Sequence, residues 1–238
     1  MGELGKSLAG KFIVLDGPDG SGKTTQLDLL AEHLASHGAD VQRAHDPGGT
    51  AVGEKIRQIL LDRDNGPISA TCETMLFMAS RAQLVAERIR PALEAGKVVL
   101  CDRFISATVA YQGASGVDPK SIIEIGNIAV QGVWPDLTVI LDVPVDVGMR
   151  RIGVPRGKRK RAGESGRSRP LFGDRMETRE SEYHESVRAN FLKLCRGNLY
   201  PRPVVRVDGN QDTQRVFTQI LARLERAFGP RSGSVPIE

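Results

Sequence analysis

The chain has 238 residues with 40% hydrophobic content, which is enough for one sizeable core, and its apolar runs are shorter than the roughly 18 residues that span a bilayer. The formal net charge of +4 comes from one segment, because residues 153–173 carry +6 and the rest of the chain −2. Composition therefore argues against a membrane protein and against a nucleic-acid binder, whose positive charge would cover a broad surface.

Short β-rich runs alternate with helical patterns from residue 11 onward, which predicts an α/β fold with a parallel sheet covered by helices on both faces. Five strands are predicted, at residues 11–16, 40–44, 97–101, 137–142 and 204–207. Helices are predicted at 23–37, 52–61, 71–88, 119–131, 145–152, 177–194 and 213–227, with Pro91 ending or kinking the third. We expect a single domain over residues 1–228, with a lid at about 153–175, and a disordered tail at 229–238.

The first predicted strand leads into Gly17-Pro-Asp-Gly-Ser-Gly-Lys-Thr24, which matches the G-x-x-x-x-G-K-[ST] phosphate-binding pattern. Its glycines let successive backbone N–H groups point inward, and the helix that follows adds the positive end of its dipole. Lys23 is expected to reach the outer phosphates of a nucleotide, and the Thr24 hydroxyl to bind the accompanying Mg²⁺. The predicted ATP-binding residues are Gly17, Pro18, Asp19, Gly20, Ser21, Gly22, Lys23 and Thr24.

Further polar residues follow the carboxyl ends of the other predicted strands, where ligands gather in such a sheet. Asp46-Pro-Gly-Gly-Thr50 follows the second strand, Asp102-Arg103 the third and Asp208-Gly209 the fifth. Phosphate-loop proteins hold a carboxylate toward Mg²⁺ at the position of Asp102. A local ion pair between Asp102 and Arg103 is the alternative that the pair by itself leaves open.

Two other features bear on partners and location. The basic, Gly- and Ser-rich segment at 153–173 is typical of a clamp on a small polyanion, although a solvated charge run without a ligand remains open. Three widely separated cysteines, Cys72, Cys101 and Cys195, favour buried thiols over a disulfide framework or a zinc site. Together with residues 1–10, which are too short and polar for a signal peptide, they lead us to expect a cytoplasmic protein.

Six segments in the same order and at similar spacing resemble the thymidylate kinase family, over about residues 11–224. They are GPDGSGKTTQ, DPGGT, LFMASRAQLV, CDRFISATVAYQG, PDLTVILDV and DRMETRESEYHESVRANFLKL. The resemblance implies the P-loop nucleoside monophosphate kinase architecture with a basic lid insertion, and a homodimer. It also implies transfer of the γ-phosphoryl group of ATP onto dTMP, with Mg²⁺ as cofactor and ATP and dTMP as the small-molecule partners.

That reaction explains why the chain shows no pattern typical of nucleophilic catalysis. The second pKa of a phosphate monoester is about 6, so the attacking oxygen is already deprotonated at neutral pH. Catalysis then depends on placing two polyanions in line and cancelling their charge, which calls for Arg, Lys and Mg²⁺.

The resemblance assigns roles to individual residues of this sequence. It implies that Lys23 clamps the donor phosphates, Thr24 and Asp102 hold Mg²⁺, Asp19 accepts from the sugar 3′-hydroxyl, and Arg103 binds the acceptor phosphate. Phe77 and Arg81 lie four apart on one predicted helix face, as the family uses them to stack on thymine and donate to it. Without the resemblance, core packing would explain Phe77 as well. The remaining implied dTMP contacts, of which Tyr111 would crowd a 2′-hydroxyl, are Thr108, Tyr111 and Gln112.

Gly20 indicates which form of the family this chain resembles. One form carries an arginine at that place in the loop, and the other supplies the charge from the lid. The resemblance therefore predicts a transition-state arginine among residues 156–175, as Arg169 or Arg167. Asp174-Arg-Met-Glu177 matches the D-R-x-E motif at the exit of the family's lid.

The sequence departs from the family pattern in two places. His45-Asp46 stands where Arg-Glu is usual, so a cation on the acceptor side is absent or titratable. Ala107 replaces a serine, with Ser106 beside it. Pro47 is a candidate for a cis peptide bond.

Two other functions remain open at this stage. Another mononucleotide kinase would share the phosphate loop and the basic lid, and a nucleotide-gated switch ATPase would share the phosphate loop alone. Neither alternative gives Phe77 and Arg81 a role.

Overall fold

A computed structural model of the chain describes residues 3–153 and 181–229. Its centre is a five-stranded sheet of β1 (Phe12–Asp16), β2 (Val41–His45), β3 (Val98–Asp102), β4 (Leu137–Asp142) and β5 (Val204–Asp208). The strand order is β2-β3-β1-β4-β5, and every neighbouring pair is parallel. The five-stranded parallel sheet predicted from the sequence is confirmed.

The sheet has two hydrophobic faces because its three central strands are buried over nearly their full length. β1 and β4 are buried at every position and β3 at all but Asp102. Side chains alternate between the faces of a strand, so Ile13 and Leu15 belong to one core cluster while Phe12 and Val14 belong to the other. The edge strands β2 and β5 are only partly buried.

Ten helices surround this sheet within the described residues. They are α1 (Glu3–Ser7), α2 (Lys23–Ser36), α3 (Ala51–Leu61), α4 (Ala70–Leu84), α5 (Arg90–Glu94), α6 (Ile105–Ala114), α7 (Pro119–Val130), α8 (Val145–Arg151), α9 (Ser181–Leu194) and α10 (Thr213–Phe228). Four of them begin at a capping side chain, since Thr50, Ser69, Asp118 and Asp212 each accept a hydrogen bond from a backbone N–H in the first turn.

Two helices of the structure were not predicted from the sequence, and a third extends further than predicted. α6 was missed because it is buried on most sides, from Ile105 to Gln112, and so has no amphipathic period. The short α1 was missed as well. The helix predicted at 71–88 continues past Pro91 to Glu94, through a widened π-helical turn at Val85–Ile89. Such a turn accommodates the proline ring and its missing N–H donor.

The fold brings the carboxyl ends of all five strands to one edge of the sheet, where the connections to the helices form the site described below. Most of the predicted lid at 153–175 and nearly all of the predicted tail at 229–238 lie outside the described residues. Among the helices that are described, none is both long enough and apolar enough to cross a membrane.

Candidate active site

The phosphate-binding loop joins β1 to α2 in the predicted manner. Gly17, Gly20 and Gly22 all have positive φ, at 141°, 72° and 91°. A Cβ at Gly17 would lie 2.4 Å from the carbonyl oxygen of Leu141, so only glycine allows this close approach between the loop and β4. The loop therefore depends on glycine for its conformation as well as for access to its N–H groups.

Lys23 folds back over the loop that precedes it. Its ammonium group donates hydrogen bonds to the carbonyl oxygens of Gly17 at 3.1 Å and Pro18 at 2.9 Å. Burial, with a further contribution from the positive charge of Arg103, lowers the pKa of Lys23 to about 8. An arriving phosphate would supply the negative charge that favours the protonated amine.

Thr24 and Asp102 meet across the junction of α2 and β3. The Thr24 hydroxyl donates a 2.9 Å hydrogen bond to Oδ2 of Asp102, and both residues line a cavity of about 690 Å³. A hydroxyl and a carboxylate are oxygen ligands of the kind that Mg²⁺ binds while keeping several waters. The described residues contain no cluster of three or more His, Cys, Asp or Glu side chains that could hold a metal by themselves. The pair fits a metal that is shared with phosphate oxygens.

Arg103 directs its guanidinium group toward the phosphate loop, from a backbone with φ of 66°. Nη2 lies 2.5 Å from Oδ1 of Asp19, while Nη1 lies 3.3 Å from the carbonyl oxygen of Gly17 and 3.6 Å from Oδ1 of Asp16. Burial by itself lowers the pKa of Arg103, but Tyr111, Asp19 and Asp16 outweigh it and raise the pKa above its ordinary value. Conversely, Arg103 and Lys23 outweigh the effect of burial on Asp19 and lower its pKa.

A second, narrower cavity of about 30 Å³ opens beside the first. It is lined by residues from the phosphate loop, the loops after β2 and β3, and helices α4 and α6, namely Asp19, Asp46, Phe77, Arg81, Arg103, Ala107, Thr108 and Tyr111. Seven of the eight belong to motifs that the sequence analysis singled out, and Ala107 was noted as a departure. Asp19, Asp46 and Arg103 line both cavities.

Arg81 is held in this second cavity by an almost complete set of hydrogen bonds. Nε donates to Oδ2 of Asp46 at 2.5 Å, Nη2 donates to the Phe104 carbonyl and to Oγ1 of Thr108, both at 3.1 Å, and Nη1 contacts Sδ of Met78 at 3.0 Å. A guanidinium group has five N–H donors, so among the described residues one N–H on Nη1 is left for a ligand.

Asp46 is the partner that holds Arg81 in place. This pairing was not predicted from the sequence. Its side chain is fully buried, and burial raises its pKa even though Arg81 opposes the shift. Oδ1 accepts no hydrogen bond from the described residues. The two residues are 35 positions apart in the sequence, which is why spacing offered no signal for this pair.

Tyr111 and Gln112 differ in their relation to the narrow cavity. The Tyr111 ring lies under the guanidinium group of Arg103, 5.1 Å from its central carbon, and its hydroxyl lies 3.4 Å from Nη2. Gln112 is buried beside the cavity without lining it, and its Nε2 donates to Oε2 of Glu73 at 3.3 Å. Six of the seven predicted dTMP contacts therefore line one cavity, and Gln112 is the exception.

Arg57 is a site residue that the sequence analysis missed. It lies on α3, donates to the Pro47 carbonyl at 2.8 Å and lines the 690 Å³ cavity with Arg103. One sequence signal could have indicated that Arg57 is buried. Gly53, Arg57 and Leu60 stand at positions i, i+4 and i+7, which form the buried face of an amphipathic helix. His45, the noted departure, lies in the same cavity and forms a 2.9 Å pair with Glu54.

A third cavity, of about 220 Å³, lies on the other side of the phosphate loop. It is bounded by the loop, α2, α8 and the connection from β5 to α10, where Arg151 donates to the carbonyl oxygens of Gly20 and Gly209 at 3.3 and 3.1 Å. The predicted lid arginines, Arg167 and Arg169, and the D-R-x-E motif at 174–177 lie outside the described residues.

Comparison with known proteins is consistent across sequence and structure. The profile of the Thymidylate kinase family matches residues 15–220. The chain is 40% identical over 215 residues to the thymidylate kinase of Thermoanaerobacter sp. (strain X514), covering 90% of this chain and 97% of that protein. It is 41% identical over 224 residues to the thymidylate kinase of Geotalea uraniireducens (strain Rf4), covering 90% and 98%. It also superposes on the crystal structure of thymidylate kinase from Ehrlichia chaffeensis with a TM-score of 0.68 and 28% identity, over 91% and 99% of the two chains.

Proposed function

Because this chain belongs to the thymidylate kinase family and transfers the γ-phosphoryl group of ATP to dTMP, we propose that its two adjoining cavities are the two halves of one phosphoryl-transfer site. The 690 Å³ cavity holds the reacting phosphates, and the narrow cavity holds thymine and deoxyribose. Three residues that line both cavities, Asp19, Asp46 and Arg103, carry this proposal, because a nucleoside monophosphate must lie across such a junction.

Three cations converge on the place where the phosphates would meet. Lys23 reaches from the donor side, and Arg103 and Arg57 from the acceptor side. Arg57 supplies a cation on the acceptor side, where His45 stands in place of the arginine that is usual in the family. Since the acceptor oxygen is already deprotonated, no side chain needs to act as a general base, and these cations offset the repulsion between two polyanions.

Thr24 and Asp102 are the residues of this chain that would hold Mg²⁺. The ion, when bound, neutralises charge on the donor phosphates. The third cavity, with Arg151 at its edge, is in a position to receive the adenosine part of ATP because it lies beyond the phosphate loop from the acceptor.

The narrow cavity selects thymine through charge and shape. The remaining N–H of Arg81 can donate to the O4 carbonyl of thymine, whereas the 4-amino group of cytosine would place donor against donor. The cavity is too narrow for a base unless a side chain moves. Phe77 is only half-buried, so its ring can move aside and then stack on the base. Asp19 accepts from the 3′-hydroxyl, and the Tyr111 ring crowds a 2′-hydroxyl. Gln112 does not line this cavity and acts only indirectly, through its hydrogen bond to Glu73.

We assign the transition-state arginine to the lid, to Arg169 or Arg167. A Cβ at Gly20 would lie 2.1 Å from the backbone oxygen of Gly148, so α8 occupies the space that a loop arginine would need. Alanine variants at Arg156, Arg167, Arg169 and Arg175 test this assignment, and the correct one should lose about 10³-fold in kcat. Retention of wild-type kcat by all four would refute a lid arginine.

We also propose a homodimer formed through α3, α4 and α7. These helices pack in sequence against one another and expose Val52, Ile59, Met75 and Ile128, the last with 77% of its surface accessible. Analytical ultracentrifugation should show a dimer for the wild type and a monomer for Ile128→Glu. A monomeric wild type would contradict the proposal.

A substrate panel tests the proposed site as a whole. With ATP and Mg²⁺, dTMP should be converted to dTDP at a kcat/KM at least about 100-fold above those for dCMP and dAMP, because each mismatch leaves buried polar groups unpaired. Preference for dAMP, or ATP hydrolysis unaffected by an acceptor, would instead indicate one of the two alternative functions.

A further inference from the structure

Asp16 is a fully buried carboxyl group beside the phosphate loop, and the reaction described above gives it no role. Its Oδ1 accepts a 2.8 Å hydrogen bond from the backbone N–H of Gly17, and its Oδ2 accepts a 2.6 Å bond from the Ser106 hydroxyl. Burial raises the pKa of Asp16, whereas Arg103 and the Ser106 hydroxyl oppose this shift. A buried carboxylate is costly unless it is paired and hydrogen-bonded, so these contacts are what permits a negative charge at this position.

Ser106 supplies its contact to Asp16 from the first turn of α6. Its side chain is fully buried and does not line the narrow cavity, although the next two residues, Ala107 and Thr108, do. A serine hydroxyl has one proton to donate, and that of Ser106 goes to Asp16. Ser106 therefore lies behind the residues that meet the substrate and does not take the place of the serine that Ala107 replaces.

The end of β1 holds Arg103 through its backbone and through its side chain. The backbone N–H of Arg103 donates to the Leu15 carbonyl at 3.0 Å, and Nη1 lies 3.6 Å from Oδ1 of Asp16. Nη1 also donates to the carbonyl oxygen of Gly17, the residue whose N–H Asp16 binds. Asp16 thus contacts the guanidinium group both directly and through Gly17.

Asp16 and Asp19 both pair with Arg103, but they differ in their access to the substrate. Asp19 lines both cavities, so the 3′-hydroxyl that it accepts in the placement proposed above competes with its bond to Nη2 of Arg103. Asp16 lines neither of these two cavities and has no exposed surface, so a ligand there has no access to it. The pairing of Asp16 with Arg103 therefore persists while that of Asp19 changes.

We propose that Asp16 is the permanent counter-ion that positions Arg103 for the acceptor phosphate, and that Ser106 is a positioning residue that keeps Asp16 ionised and oriented. This inference rests on the proposed role of Arg103. Without the Ser106 hydroxyl, Oδ2 of Asp16 loses its hydrogen bond in a buried position, so the carboxyl group must rotate or take up a proton. Either change weakens its hold on Arg103, and misplacement of a group that aligns the acceptor lowers the rate.

A double-mutant cycle between Ser106→Ala and Arg103→Met tests the proposal, with ATP, Mg²⁺ and dTMP, at a temperature where circular dichroism shows each variant to be folded. Ser106→Ala alone should lower kcat/KM for dTMP about tenfold or more. KM for ATP should stay within about twofold, because the described hydrogen bond from the phosphate loop to Asp16 comes from Gly17, at the start of the loop. In Arg103→Met the same substitution should cost less than about twofold, because the residue through which Ser106 acts is gone.

Thr138→Val is the matched control for the loss of a buried hydroxyl. Thr138 lies on β4, is as fully buried as Ser106 and is not bonded to Asp16. Its substitution should change kcat/KM for dTMP by less than about twofold, both alone and with Arg103→Met.

Three results would overturn the proposal. They are a loss of less than about twofold in Ser106→Ala, a tenfold loss that persists in Arg103→Met, and a KM for ATP that rises as much as the KM for dTMP. If Ser106→Ala does not fold, Ser106→Cys replaces it in the same cycle, since a thiol is a weaker donor, and the same three results count against it. If the double variant does not fold, the comparison of the two KM values decides. A wild type that fails to convert dTMP would refute the proposed site, whereas normal wild-type turnover without an effect of Ser106→Ala would refute only this inference.

Discussion

Replacing Arg103 by methionine should impair both catalysis and folding, with a dependence on pH that identifies the cause. Methionine fills similar space without charge, so Asp16 and Asp19 lose their nearest cation while the packing is largely kept. Breaking a buried ion pair on one side costs about 3–5 kcal/mol. Because Lys23 also lowers the pKa values of both carboxyl groups, we expect the lower end, about 3 kcal/mol. For a chain of this size that corresponds to a fall in Tm of about 6–12 °C.

The sign of the pH dependence follows from the two carboxyl groups. In the wild type, Arg103 is the strongest influence that lowers the pKa values of Asp16 and Asp19. Without it, burial raises both folded-state pKa values above those of the unfolded chain. Below the pKa of the unfolded chain, each carboxyl group is protonated in both states, so its raised folded-state pKa costs no stability. As the pH rises from the unfolded-state pKa to the folded-state pKa, the folded state loses stability relative to the unfolded chain. The variant should therefore lose more Tm, relative to the wild type, at about pH 8 than at about pH 5.

Thermal unfolding at both pH values, and initial rates of ADP release with dTMP, provide the measurements. We expect kcat/KM for dTMP to fall about 10³-fold, comparable to the loss of a transition-state arginine. Arg103→Lys is the matched control, because it keeps the charge and should retain most of the Tm while losing the forked geometry. A methionine variant within about tenfold of wild-type kcat/KM, or one with equal Tm losses at both pH values, would refute the reasoning.

Three further predictions follow from individual contacts. Asp102→Asn weakens the Thr24–Asp102 pair. In a metal titration, the Mg²⁺ concentration that gives half the maximal rate should rise about tenfold. An unchanged Mg²⁺ requirement would place the metal elsewhere. Gly20→Ala places a Cβ 2.1 Å from a backbone oxygen of α8, at a residue whose φ is 72°. The free energy of unfolding measured in urea should fall by about 2 kcal/mol or more. An unchanged value would mean that α8 moves away to make room for the methyl group. Arg81→Lys keeps a cation near Asp46 but loses the forked donors of the guanidinium group. KM for dTMP should therefore rise about tenfold, with a smaller change in kcat. An unaltered KM would remove Arg81 from the base contacts.

Local motifs were predictable because neighbouring residues carry them. The phosphate loop, the strand-ending Asp102 and the helix that begins at Pro119 depend on a few consecutive residues, and the structure has them where the sequence indicated. α6 was missed for the opposite reason. Its burial comes from α4, α7 and α9, which pack on several sides of it, and a helix without an exposed face has no periodic pattern.

The pairings within the site required the tertiary structure. Arg81 meets Asp46 across 35 positions, and Arg103 meets Asp19 across 84, so no spacing rule could relate them. Arg57 was overlooked because its helix position resembles an ordinary core position until the cavity beside it is known. The roles of Arg167 and Arg169 remain sequence-based predictions.

The sequence by itself determined the chemical groups of this protein: a phosphate loop, strand-terminal carboxylates and the motifs of a thymidylate kinase. It also determined the alternation of strands and helices, since both periods can be counted along the chain. The tertiary structure decided which of these groups meet. The order β2-β3-β1-β4-β5 places the ends of β1, β2 and β3 side by side, which directs Arg103 toward Asp19 and brings Asp46 into the cavity that Arg81 lines. These contacts depend on distances between residues far apart in the chain, which packing of the sheet and its helices sets and local sequence does not.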